Sequence, residues 1–75
     1  MTTMTGLTPV PLTGGRCWQF QHNTITYQIV SLNGSERVRL YFDFAGRWVY
    51  QLTRLTYGRS AKSVADEIRT WVADS

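Results

Sequence analysis

The sequence predicts an α+β fold: a two-layer, four-stranded antiparallel β-meander (order 1-2-3-4) with one C-terminal α-helix packed across one face (ββββα). Three observations point to it. Four runs rich in Ile, Val, Thr, Tyr, Phe and Trp lie between residues 16 and 56 and are separated by short gaps. Turn chemistry at Asn33-Gly34, around Asn23 and at Gly46 joins neighbouring runs as hairpins. After Gly58 the apolar spacing lengthens from two to the 3.6 of a helix.

Residues 1–15 hold five Thr, Pro9, Pro11 and the Gly14-Gly15 pair, with no charged side chain. They read as a flexible N-terminal tail, which leaves 16–75 as a single ββββα domain. Within that tail Thr8 to Leu12 favours an extended course, because each proline restricts the residue before it. With Leu7, Val10 and Leu12 it is suited to serve as a docking peptide or an added edge strand.

The four strands are expected at 16–21, 24–32, 36–43 and 47–56. A two-residue loop at His22-Asn23 sets Phe20 opposite Ile25 and Trp18 opposite Tyr27. A two-residue loop at Asn33-Gly34 sets Ile29 opposite Val38 and Tyr27 opposite Leu40. A three-residue loop Phe44-Ala45-Gly46 sets Phe42 opposite Trp48, Leu40 opposite Tyr50 and Val38 opposite Leu52. Side chains alternate faces with period two, so these registers gather one inner face. It consists of Trp18, Phe20, Ile25, Tyr27, Ile29, Val38, Leu40, Phe42, Trp48, Tyr50 and Leu52. Short antiparallel connections imply a meander, whose spatial order follows the sequence.

The helix then supplies a cover. Ala61, Val64, Ala65, Ile68 and Val72 form one stripe, with Trp71 at its margin and Lys62, Asp66, Glu67, Arg69, Thr70 and Asp74 on the other side. Ser60 is the expected N-cap, with Ser63 the alternative. A helix of about 14 residues is marginal alone in water and needs the sheet.

Composition bounds the function. Seventy-five residues make one domain, and 43% apolar content is too high for a disordered chain. The net charge of +3 permits an anionic partner without demanding one. A single cysteine excludes an internal disulfide and fits a reducing, cytoplasmic setting. No stretch approaches the ~20 apolar residues of a membrane helix, and no membrane partner is expected.

Catalytic chemistry finds little to work with. Cys17 and His22 are the sole thiol and imidazole; they sit about 17 Å apart along the first strand at ~3.4 Å per residue and point to opposite faces. Asp43 is expected to pair with Arg47 across a turn, and no two carboxylates are poised for acid–base work. Phosphate loops, zinc spacings and calcium loops are lacking, so neither an enzyme nor any cofactor or metal site is expected.

The outer sheet face remains. By the expected register it carries Cys17, Gln19, Gln21, Thr24, Thr26, Gln28, Val30, Arg37, Arg39, Tyr41, Asp43, Arg47, Val49, Gln51, Thr53 and Leu55. Arg and Gln can bond base edges, Thr and Tyr can bond phosphates, and rings on a sheet can stack single-stranded bases. The expected nucleic-acid contacts, to DNA or RNA, are Gln19, Gln28, Arg37, Arg39, Tyr41, Arg47 and Gln51. An alternative is a protein-interaction or self-associating module using Val30, Val49, Leu55 and Tyr57, an edge strand, or the proline-containing tail. Solubility alone also asks for Arg, Gln and Thr on such a face.

Overall fold

The computed structural model describes residues 6–74. Its elements are β1 (Thr8–Val10), β2 (Gly15–His22), β3 (Ile25–Leu32), β4 (Arg37–Phe44), β5 (Arg47–Leu55) and α1 (Ala61–Ala73). All strands are antiparallel neighbours in the order β1-β2-β3-β4-β5, with α1 on one face. The meander and the C-terminal helix are as expected, but the sheet has five strands rather than four.

The additional strand comes from the segment expected to be a flexible tail. Thr8, Pro9 and Val10 pair with Gln19, Trp18 and Cys17, and Leu7 packs against the core. An edge position suits Pro9, which has no N–H to donate. Gly14 then turns the chain at φ 81, and its carbonyl accepts from the Asn33 amide at 2.9 Å. Gly15 opens β2 where a Cβ would lie 2.6 Å from the Ser31 carbonyl oxygen, so the Gly-Gly pair is a fitted corner. Residues 1–5 of the expected tail, and residue 75, lie outside the described residues.

The hairpin registers depart from expectation in an instructive way. The first turn is Asn23-Thr24, both at positive φ (51 and 65). It pairs Phe20 with Tyr27 and Trp18 with Ile29. At the second turn only Gly34 has positive φ (77), the Ser35 amide bonds the Leu32 carbonyl at 3.1 Å, and β4 starts at Arg37. That is the pattern of a type II turn rather than type I′. Ile29 therefore faces Leu40 and Ser31 faces Val38. Both shifts are of two residues, so no side chain changes face.

The third hairpin does change faces. Ala45 and Gly46 both take positive φ (53 and 81), giving a two-residue loop in place of three. Phe42 pairs with Val49, Asp43 with Trp48, and Tyr41 with Tyr50. Trp48 and Tyr50 thus lie on the outer face instead of the inner, and Val49 moves the other way. A β-bulge between Leu40 and Tyr41 absorbs one extra β5 residue, Gln51, and returns Leu52 to a position opposite Leu40.

The core differs from the expected one by those β5 exchanges and by Ile25, which is exposed near the first turn, while Phe42 lies outside the buried cluster. Trp18, Phe20, Ile29, Val38 and Leu40 from the sheet meet Val64, Ala65, Ile68 and Val72 from the helix, with Tyr27, Leu52 and Ala61 partly buried around them. Phe20 and Tyr27 stack with centroids 5.0 Å apart, and the Arg16 guanidinium covers the Trp18 ring at 4.9 Å. Ser60 caps α1 as expected: its hydroxyl accepts from the Ser63 amide at 3.1 Å. The link into the helix is tied down by the Thr56 amide, which donates to the Glu36 carbonyl at 2.9 Å. No helix among the described residues is long and apolar enough to cross a membrane.

Candidate binding surface on the outer sheet face

The alternation of the strands sends two cross-strand rows of side chains away from α1. In one row Gln19, Gln28, Tyr41 and Tyr50 are successive partners. In the next, Cys17, Val30, Arg39 and Thr53 are successive partners, with Arg37 opposite Leu55 beyond them. Arg37, Arg39, Tyr41, Tyr50 and Thr53 line one shallow, open hollow across β4 and β5.

Hydrogen bonds order the polar part of this surface. The Gln28 amide donates to the Gln19 side-chain oxygen at 3.1 Å, and Tyr50 shares a 2.6 Å hydroxyl–hydroxyl bond with Thr53. Tyr41 and Tyr50 meet edge-on, 6.0 Å between centroids, an arrangement that leaves ring surface open to a ligand. Tyr50 is 54% exposed and Trp48 47%. Arg37 and Arg39 form no ion pair with any described residue, whereas Arg59, in the link before α1, pairs with Glu67, and on the helix Lys62 pairs with Asp66. The Arg59 guanidinium, bonded to its carboxylate, holds Glu67 below the usual carboxylate range.

Five of the seven expected contact residues, Gln19, Gln28, Arg37, Arg39 and Tyr41, share this face. Two do not. Arg47 pairs with Phe44 and so takes the helix side, because the third loop is one residue shorter than expected. Gln51 is the bulge residue and lines a cleft with Tyr27, Trp71 and Val72. In exchange the face gains Trp48 and Tyr50, which were expected inside. The signal that could have found them is Ala45-Gly46 read as a two-residue type I′ turn.

Other expectations about this surface change too. Asp43 makes no ion pair with Arg47; its carboxylate instead accepts from the Gly46 amide at 3.1 Å. Cys17, expected on open sheet, is only 6% exposed, because β1 sets Val10 beside it. Burial pushes its thiol pKa up, which disfavours the reactive thiolate. Among the described residues no three of His, Cys, Asp and Glu come together as a metal site.

These features define a small α+β domain with an arginine- and tyrosine-bearing open sheet face. No protein-family model matches the chain, and no curated protein or solved structure matches it either.

Proposed function

We propose that this chain is a non-catalytic binding module that takes single-stranded nucleic acid, DNA or RNA, on the outer face of its sheet. The observation that carries the reading is the hollow where Arg37 and Arg39, with no carboxylate partner among the described residues, stand beside the half-buried ring of Tyr41 and the exposed ring of Tyr50. Guanidinium groups in that state are available to phosphates, and neighbouring ring faces stack bases regardless of sequence. Trp48 offers a third ring and the Gln19–Gln28 pair offers donors and acceptors for base edges. A five-stranded sheet, with strands ~4.8 Å apart, is wider than the ~12 Å major groove, which favours a single strand over a duplex. The cytoplasm suits a chain whose lone thiol is kept reduced.

Binding is measured by the anisotropy of labelled oligonucleotides titrated with protein over a range of salt. Two phosphate contacts give a log–log salt slope of about −1.4. Arg37→Glu with Arg39→Glu should abolish binding, and Tyr50→Ala should weaken it by about 1–3 kcal/mol. No binding at low salt, or affinity unaltered in the double arginine variant, contradicts the reading. A protein-interaction or self-associating module is the second reading, favoured by one observation, the open edge of β5.

A further inference from the structure

Rings and cations are not spread evenly over the outer face. The strands β1, β2 and β3 contribute neither an aromatic ring nor a charge to it, and the Gln19 and Gln28 amides are turned to each other in a 3.1 Å bond. Along β4 and β5 the outer pairs are Tyr41 with Tyr50, Arg39 with Thr53 and Arg37 with Leu55. The groups that stack bases and neutralise phosphates therefore lie lengthwise along two strands, not crosswise over five.

This line continues past the end of the sheet. The Thr56 amide still donates to the Glu36 carbonyl at 2.9 Å, so the chain leaves β5 beside Arg37. The next residue, Tyr57, is the most exposed large apolar side chain among the described residues, at 80%. Its backbone is left-handed at φ 51 and Gly58 follows at φ 80, in a turn closed by the Arg59 amide on the Thr56 carbonyl at 3.0 Å. That is the pattern of a type I′ turn, whose first central position suits Asn, Asp or Gly. A bulky residue is an outlier there, and a ring this exposed recovers little burial to offset the cost. Strain that packing does not balance implies a role outside the fold. Position supplies one. Tyr57 comes two residues after Leu55, the partner of Arg37, and so adds a ring beyond the two arginines. From Tyr41 to Arg37 is about 14 Å at ~3.4 Å per residue, and Tyr57 adds up to about 7 Å. The whole matches about six stacked nucleotides at ~3.4 Å each.

We propose that the bound single strand runs lengthwise over β4 and β5, with a base on Tyr50, phosphates at Arg39 and Arg37, and a further base stacked on Tyr57. The inference rests on the nucleic-acid reading and gives it a direction and an end. The Gln19–Gln28 pair lies to the side of this path, where it meets base edges rather than the backbone.

Anisotropy of a labelled oligothymidylate of about eight nucleotides, long enough for the whole path, tests it on the full chain. Tyr57→Gly relieves the strain at φ 51, so this variant should melt no lower than the parent while its affinity falls at least about fivefold. Tyr57→Phe keeps the ring and should hold the affinity within about twofold. Gln19→Ala, off the path, should weaken binding less than Tyr57→Gly does. Unchanged affinity in Tyr57→Gly, an equal loss in Tyr57→Phe, or a greater loss in Gln19→Ala overturns the proposal. So does a Tyr57→Gly variant that melts below the parent, since the ring would then be structural. The nucleic-acid reading is judged separately. A parent that binds, and loses binding on Arg37→Glu with Arg39→Glu, upholds it whatever Tyr57 does, whereas a parent that binds no oligonucleotide removes both.

Discussion

Thr24 occupies the left-handed region at φ 65, where a β-branched side chain crowds its own backbone. Its hydroxyl donates to the Asn23 carbonyl at 2.5 Å, a local bond that glycine would forgo. The left-handed cost of about 1–2 kcal/mol exceeds the extra chain entropy of glycine, about 0.5–1 kcal/mol. Thr24→Gly, which creates an Asn-Gly type I′ turn, should therefore raise the urea midpoint by the equivalent of about 0.5–1 kcal/mol; a lower midpoint would show that the turn is not strained. Cys17 makes the opposite kind of prediction. Its thiol is buried on β2 beside the edge strand β1, and burial pushes its pKa above the ordinary value of about 9. Above that pH the unfolded thiol loses its proton first, so the native state binds more protons and stability falls as pH rises. Cys17→Ala should flatten that decline relative to the parent above about pH 9, and the native parent thiol should react with an aromatic disulfide far more slowly than in urea. Equal slopes and fast native labelling would mean that β1 does not cover it.

At the scale of elements, the helix and the core were legible because their signals are redundant. Val64, Ala65, Ile68 and Val72 are spaced for one stripe, Ser60 supplies a cap, and all four stripe residues are buried. The first two hairpins illustrate a different protection: their pairings differ from expectation by two residues, yet no residue changes face, since only an odd slip exchanges faces; Ile25, at the end of β3, keeps its face but is 38% exposed. The third hairpin had no such protection. Ala45 carries a Cβ and is an unusual choice at φ 53, so Gly46 alone suggested a longer loop, and Trp48 and Tyr50 were assigned inward. Burying their rings would be favourable in isolation; the turn and the bulge at Gln51 decide otherwise. β1 was expected as part of a flexible tail, with an added edge strand as the alternative, because three residues with a central proline carry almost no strand signal. A paired measurement checks the faces. Ile68→Ala should cost about 2–5 kcal/mol, whereas Trp48→Ala, at a position 47% exposed, should cost less than about 1 kcal/mol. A Trp48 variant as damaging as the Ile68 variant would put that ring back in the core.

Across the whole molecule, charge of both signs lies mainly on the helix side, which holds six of the eight basic residues, Arg16, Arg47, Arg54, Arg59, Lys62 and Arg69. Three of the five carboxylates lie on α1 (Asp66 and Glu67) or at its C-cap (Asp74), and Asp66 and Glu67 are paired there. Arg37 and Arg39, which form no ion pair among the described residues, stand on the opposite face with Asp43. Arg37, Arg39, Tyr41, Gln19 and Gln28 were readable as one surface because they depend only on strand parity. Arg47, Gln51, Trp48 and Tyr50 depend on the length of one turn and on one bulge, which composition does not encode. The account stands on the claim that this face binds single-stranded nucleic acid, and amide chemical-shift mapping during addition of short oligonucleotides tests it most directly. It predicts shifts concentrated at Arg37, Arg39, Tyr41, Tyr50 and Thr53, extending to Gln28, weakening as salt is raised and sparing the helix. A flat titration at low salt, or shifts confined to α1 or the β1 edge, would contradict it.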